Sequence, residues 1–435
     1  MKRPISKLLA ASFFCLSSQL CGAQKYFLHC GNLIDVKSGQ VMSQMTVVIN
    51  GNTIESVEKG YKNAGGKDQL IDLKDKTVMP GFIDLHVHIE SETSPKKYEE
   101  QFRLNDADVA FRSTVYAKRT LMAGFTTVRD LGGTGVNIAM RKAIDAGYID
   151  GPRIYTAGKA IATTGGHADP TNGVKKQLMG DPGPKEGVVN GPEDAKKAVR
   201  QRYKNGADLI KITATGGVLS VAKDGQGPQF TKEELAAIVE TAADYGMITA
   251  AHAHGAEGMK RAVMAGITTI EHGTLMTTEV MDLMIAKGTY LVPTISAGKY
   301  VADKAKIPGY YPDVIVPKAL QIGPQIQQTF QKAFQKGVKI AFGTDAGVFP
   351  HGENAKEFGY MVEAGMSPME AIQAATITNA QVLKATDKIG ALDKGLRADI
   401  VAADDNPIKN IKTLEQITFV MKDGKVYKHL AGNKK

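Results

Sequence analysis

Gly81-Phe-Ile-Asp-Leu-His86 is a short apolar run that leads into a polar or glycine cluster, and the chain repeats that construction seven more times before residue 395. The further runs are Thr126-Thr-Val-Arg129, Arg153-Ile-Tyr-Thr156, Leu209-Ile-Lys-Ile212, Ile248-Thr-Ala-Ala-His252, Thr268-Thr-Ile-Glu-His272, Tyr290-Leu-Val-Pro-Thr294 and Lys339-Ile-Ala-Phe-Gly-Thr344. Amphipathic helical stretches fall between them, such as Thr231-Lys-Glu-Glu-Leu-Ala-Ala-Ile-Val-Glu240, which has Thr at a helix-starting position and Glu three residues later. Eight strand–helix units predict an α/β fold, a (β/α)8 TIM barrel over residues 81–395, with a doubly wound sheet as the other α/β arrangement.

Outside this repeat the texture changes. Residues 26–80 carry β-rich runs (Tyr26-Phe-Leu-His29, Met45-Thr-Val-Val-Ile49, Thr53-Ile-Glu-Ser-Val57) punctuated by Gly-Asn, Gly-Gly and Lys-Asp turns. The same pattern returns after 396 in Ala398-Asp-Ile-Val-Ala402, Ile417-Thr-Phe-Val-Met421 and Lys425-Val-Tyr427. Both chain ends are therefore expected to build one small β-sandwich domain, from residues 24–80 and 396–435. With 435 residues, 43% hydrophobic and 23% charged, the composition excludes a disordered, collagenous or disulfide-scaffold protein.

Three of the positive charges behind the net +9, Lys2, Arg3 and Lys7, precede the apolar run Leu8–Leu16 and the small-residue end Gly22-Ala23. Residues 1–23 thus read as a secretory signal peptide cleaved near Ala23, and the expected location is periplasmic or secreted. A chain starting at Gln24 carries +6, spread along its length, which gives a nucleic-acid partner little support. No later segment reaches the roughly 18 apolar residues of a membrane span. Leu20 before Cys21 argues against lipidation. Once Cys15 and Cys21 are removed, Cys30 is left without a disulfide partner.

Barrel enzymes assemble their chemistry at the C-terminal ends of the strands, and five of the eight expected ends carry a potential metal ligand. The first ends in His86-Val-His88, whose i, i+2 spacing aims both imidazoles to one side. Lys211 lies on the fourth, His252 and His254 on the fifth, His272 on the sixth and Asp345 after the eighth. A single histidine at such a place is ordinarily structural. Seven of the nine histidines, however, fall between 86 and 351, mostly at one rim. Lys211 sits among Leu209, Ile210 and Ile212, surroundings that depress an amine pKa. A neutral amine can add carbon dioxide to give a two-oxygen carbamate; on the residues alone, a lysine paired with a carboxylate is the plainer account.

This ordered set, with Met79-Pro-Gly-Phe-Ile-Asp-Leu before the His-x-His, resembles the amidohydrolase superfamily. Thr164-Gly-Gly-His167, Ile210-Lys-Ile212, Ala251-His-Ala-His254, Thr269-Ile-Glu-His-Gly273, Gly343-Thr-Asp-Ala-Gly347 and His351-Gly-Glu-Asn354 narrow the resemblance. They are similar to the imidazolonepropionase-related branch with binuclear prolidases, Xaa-Arg carboxypeptidases and ochratoxin-type amidases. The resemblance implies two zinc ions, with His86, His88 and Asp345 on one, His252 and His272 on the other, and carboxylated Lys211 between them. Spacing alone does not separate His252 from His254 as ligand; the resemblance favours His252. His254 stands where relatives often carry a substrate-contacting Tyr, and His167 resembles a residue that touches the substrate carbonyl or carboxylate.

Such a site implies attack on an amide carbonyl by a hydroxide held between the metals, with Asp345 carrying the proton to the leaving amine. His167 or His254 would stabilise the oxyanion or anchor a carboxylate. The expected substrates are dipeptides, Xaa-Pro foremost, or N-acyl amino acids; a cyclic amide or an ochratoxin-type amide is the alternative. A scaffold that has lost turnover would lack a reason to keep every ligand; a module that binds peptides through the β-domain, with the barrel as support, would keep its binding when the barrel is truncated. The chain itself does not reveal an oligomeric state, although relatives are commonly homo-oligomers. The βα loops 160–190 and 296–325, with the rigid Gly180-Asp-Pro-Gly-Pro184 as a candidate border, are expected to shape the pocket.

Overall fold

The computed structural model describes residues 24–221 and 225–430. The expected signal peptide, residues 1–23, lies outside the described residues, as do 431–435. Strands β1 (Lys25–Asp35), β2 (Gln40–Asn50), β3 (Thr53–Lys59) and β4 (Gln69–Pro80) open the chain. Barrel strands β5 (Phe82–Val87), β6 (Phe125–Asp130) and β7 (Arg153–Thr156) follow, and then a two-strand ribbon, β8 (Ala162–Thr163) with β9 (Val188–Val189). The barrel continues with β10 (Leu209–Thr213), β11 (Ile248–Ala253), β12 (Thr269–His272), β13 (Tyr290–Val292) and β14 (Lys339–Ile340). Strands β15 (Ile400–Ala403), β16 (Phe419–Lys422) and β17 (Lys425–His429) end it. Each of the eight runs picked out in the sequence coincides with one barrel strand.

The barrel is a parallel ring. β10 to β14 pair in sequence order, as do β5 to β7. The seams close through the parallel bridges Ile161–Ile212 and Val87–Ala346, with Leu85 N–H donating to Phe342 O and Asp345 N–H to His86 O at 3.0 and 2.7 Å. The interior is filled by Ile83, Leu85, Leu209, Ala250, Val292 and Ala341, packed on Ala380, Val382 and Leu383. Asn379 fastens that plug: its amide donates to Ile83 O and Phe342 O at 2.7 and 2.8 Å. Outer helices include Asp106–Met122, Lys232–Asp244 and Gln325–Lys336. Thr231 caps the second, accepting from Glu234 N at 3.2 Å while the Glu234 carboxylate accepts from Thr231 N at 2.8 Å.

The two chain ends meet in one seven-stranded sheet ordered β17-β16-β15-β4-β1-β2-β3. Leu28, Val47, Leu73, Ile400 and Phe419, drawn from five of its strands, share a single apolar core. The sheet therefore wraps around its own inner face, and Thr53 bridges to Arg397 across the gap. Arg153 in β7 ties it to the barrel, reaching Asp399 and Asp423 at 2.6 Å each. Among the described residues no helix is long and apolar enough to cross a membrane.

Candidate metal centre

His86, His88, His167, Lys211, His252, His254, His272 and Asp345 all line one cavity of about 310 Å³ at the C-terminal mouth of the barrel. Local backbone irregularities aim several of them. A shift in the β5–β6 register between Asp84 and Val87 turns His86 inward just after the interior residue Leu85. In β12 a regular strand would send Glu271 and His272 to opposite faces. His272 instead adopts a left-handed backbone, φ 69°, and both side chains reach His86. Thr294 and Asp345 share this conformation, at φ 53° and 63°, so three non-glycine residues around one cavity hold a costly geometry.

Each strand-end imidazole has one nitrogen tied down, which leaves the other for the cavity. His86 Nδ1 faces Glu271 Oε2 at 2.9 Å, and His88 Nδ1 faces the Gly132 carbonyl at 2.7 Å. His272 Nδ1 meets Thr294 Oγ1 at 2.7 Å, and His254 Nδ1 meets Thr274 Oγ1 at 2.9 Å. His252 differs, for it is Nε2 that faces the Gly216 carbonyl, at 3.3 Å. Such partners fix ring orientation in metal sites. The rings crowd together: His252 lies 4.6 Å and His86 and His254 each 5.0 Å from His272, centroid to centroid. His167 stacks on His252 at 4.3 Å above Gly217, where a Cβ would stand 2.2 Å from the His167 ring.

The electrostatics suit a cation. Burial, followed by neighbouring positive charge, drives the histidines down: His88 and His167 to about 3, His254 to about 4, and His86, His252 and His272 well below their ordinary value. They present neutral lone pairs. Burial pushes Asp345 up to about 7, against the pull of Lys211, and lowers Lys211 to about 8. Asp345 Oδ1 is buried without a hydrogen bond, 3.5 Å from His86 Nε2 and 3.4 Å from His88 Nε2. His86, His272 and Asp345 place one ligand atom each within 4.8 Å of one another. An orphaned carboxylate oxygen among neutral imidazoles fits a divalent metal. Among the described residues Lys211 forms no ion pair with a carboxylate; Glu271 and Asp345 act on it through space.

Several surrounding residues were not singled out from the sequence. Glu271 bridges His86 to Arg129, whose Nη2 lies 2.8 Å from Oε1, both side chains being fully buried. Lys97 and Ser91 line the mouth from the loop after β5. An apolar part of the wall comes from Ala297, Val301, Ala319, Ile322 and Ile326, within and just beyond the expected 296–325 loop. From the 160–190 loop only Ala160, His167 and Ala168 reach the cavity, and the segment 180–184 does not border it. His351 lies behind the site, its Nε2 3.1 Å from the Ser91 carbonyl.

A ring of parallel strands with a histidine, lysine and aspartate cluster at its mouth defines a class of hydrolase, and the comparisons agree. The chain belongs to the amidohydrolase family, whose model matches residues 77–428. It is similar to a solved Xaa-Pro dipeptidase with methionine bound in its active site: 54% identity, TM-score 0.91, covering 93% of this chain and all of that one. A prolidase complexed with N-methylphosphonate-L-proline matches at 30% identity and TM-score 0.85, over 94% of this chain and all of that one. The ochratoxinase of Aspergillus niger is 34% identical over 370 residues, 81% of this chain and 75% of that enzyme. The protein is a hydrolase acting on amide bonds.

Proposed function

We propose that this chain is an exported, metal-dependent amidohydrolase that releases the C-terminal residue of dipeptides or N-acyl amino acids, with Xaa-Pro dipeptides foremost. The observation that carries the reading is the buried, unbonded Asp345 Oδ1 between two histidine nitrogens in a cavity of peptide size. Similarity to the methionine-bound dipeptidase and the prolidase supports the substrate class, and the 1–23 pattern supports export.

His86, His88 and Asp345 would hold one divalent ion, His252 and His272 a second, and Lys211, as a carbamate, would span them. Zinc suits this donor set, and when bound it supplies Lewis acidity toward the scissile carbonyl. Asp345, whose Oδ1 is buried at the cavity without a hydrogen bond, takes the proton from the attacking water and hands it to the departing amine nitrogen. His167 and His254 flank the cavity as N–H donors for the carbonyl oxygen as it gains charge. Glu271 and Arg129 hold His86 in its tautomer from behind.

The test is release of free amino acid from a panel of dipeptides and N-acyl amino acids by zinc-loaded protein, with metal counted on the same sample. The expected result is about two metals per chain and cleavage confined to certain C-terminal residues. Lys211→Ala should lose metal and activity and recover part of both with short carboxylic acids. Two metals without amide cleavage would replace this substrate class with cyclic amides or lactones, and no metal would overturn the reading.

A further inference from the structure

The cavity holds a cation that the chemistry above does not use. Lys97 opens the short helix Lys97–Glu100 in the loop after β5, and its half-buried side chain lines the mouth of the cavity. The loop is held at both sides: Tyr98 Oη donates to the Leu219 carbonyl at 2.8 Å across the mouth, and Arg112 pairs with Glu100 at 2.8 Å. Lys97 Nζ itself makes no hydrogen bond or ion pair with any described residue. Lys318, the other rim lysine near this cavity, donates to the carbonyls of Ser220 and Gly217 at 2.6 and 3.2 Å.

The position of Lys97 relative to Asp345 gives it a meaning. Lys97 and Asp345 line the same cavity, so ammonium and carboxylate border one substrate volume. In a dipeptide or N-acyl amino acid, the scissile nitrogen and the terminal carboxylate are attached to the same carbon. A substrate whose nitrogen faces Asp345 must therefore set its carboxylate within a few ångströms of that nitrogen, inside the cavity that Lys97 also lines. The apolar wall, with Ala319, Ile322 and Ile326, offers such an anion no partner and suits the apolar remainder of the substrate.

We propose that Lys97 is the carboxylate anchor of the substrate, which restricts hydrolysis to molecules with a free carboxylate on the leaving amine. This rests on the amide-hydrolase reading, so its test carries a separate binding arm. Release of methionine from Met-Pro and from Met-Pro carboxamide is compared in wild type, Lys97→Met and Lys97→Arg. Wild type should favour the acid by about 10- to 100-fold in kcat/KM, the weight of one charge-assisted hydrogen bond. Lys97→Met should bring that ratio close to one, mainly through KM, and Lys97→Arg should keep part of it. In parallel, calorimetric titration should show proline bound more tightly than prolinamide by wild type, a preference lost in Lys97→Met. An acid-to-carboxamide ratio unchanged in Lys97→Met, or proline bound no better than prolinamide by wild type, overturns the anchor. Failure to cleave Met-Pro while the binding preference depends on Lys97 would instead overturn the peptidase reading and leave the anchor standing.

Discussion

The histidine-bearing wall of the cavity hangs on the ends of β5, β10, β11 and β12, whereas the apolar wall is made of the helices Ile295–Lys304, Val316–Ile322 and the start of Gln325–Lys336, inserted after β13. On the first wall every strand-end imidazole has a hydrogen-bond partner behind it, and the backbone departs from regular geometry to aim the groups. On the second the contacts are apolar and the packing is close: a Cβ on Gly323 would stand 2.5 Å from Ala302 Cβ. The contrast separates two tasks. Reacting groups need placement within tenths of an ångström, which a hydrogen-bonded ring supplies. A surface that recognises a side chain needs only shape, and helices added between strands can change without disturbing the ring.

Substitutions on the two walls should fail in different ways. The largest effect is expected from Asp345→Asn, which should cut kcat by about 10²- to 10⁴-fold while metal content, measured on the same sample, stays largely intact. The same variant carries a stability signature once metal is removed by a chelator. The folded Asp345 carboxyl, raised to about 7 from its ordinary 3.8, keeps its proton at pH values where the unfolded chain has released it. Its contribution to wild-type stability is therefore present below pH ~4 and lost as pH rises through ~7. Asparagine has no such dependence, so urea unfolding should show Asp345→Asn gaining on wild type by about 4 kcal/mol between pH 4 and pH 8.

Glu271→Gln comes next. It weakens the support of His86 and leaves Arg129 buried with a poorer partner, so metal affinity should drop about 10- to 100-fold and stability by about 3 kcal/mol. Equilibrium dialysis and denaturant titration check both. The smallest change is expected on the apolar wall. Ile322→Ala should move the kcat/KM ratio between substrates with bulky and compact apolar side chains by about tenfold, with metal content unchanged. If Ile322→Ala also emptied the metal site, the division of labour between the walls would be wrong.

The barrel was legible because its signals are local. Each strand is a short apolar run with a helix behind it, and Thr231 with Glu234 caps one helix start as its sequence predicts. The gathering of His86, Lys211, His252, His272 and Asp345 followed from placing those residues at strand ends of one ring. What escaped depended on backbone exceptions and on loops. Alternation puts Glu271 on the far side of the strand from His272, and only the left-handed turn at His272 makes them neighbours. Lys97 reads as one more surface lysine until the Tyr98–Leu219 contact draws its loop over the mouth. The apolar wall depends on how three helices pack against one another, and the 180–184 turn, rigid as it is, points elsewhere.

Ring closure also bears on how the protein is made. His86 stands on the first barrel strand and Asp345 just beyond the last, and the backbone bond from Asp345 N–H to His86 O is one of those that join the ends of the ring. A chain emerging from the ribosome in N-to-C order carries His86 and His88 long before Asp345 exists. Any cation that draws on all three must wait until nearly the whole barrel has been synthesised and its circle completed. Loading of such a cation would thus be a late event in the life of the molecule, set by where synthesis ends and folding finishes, and a chain truncated before residue 345 would keep most of its histidines and still lack the carboxylate that stands among them.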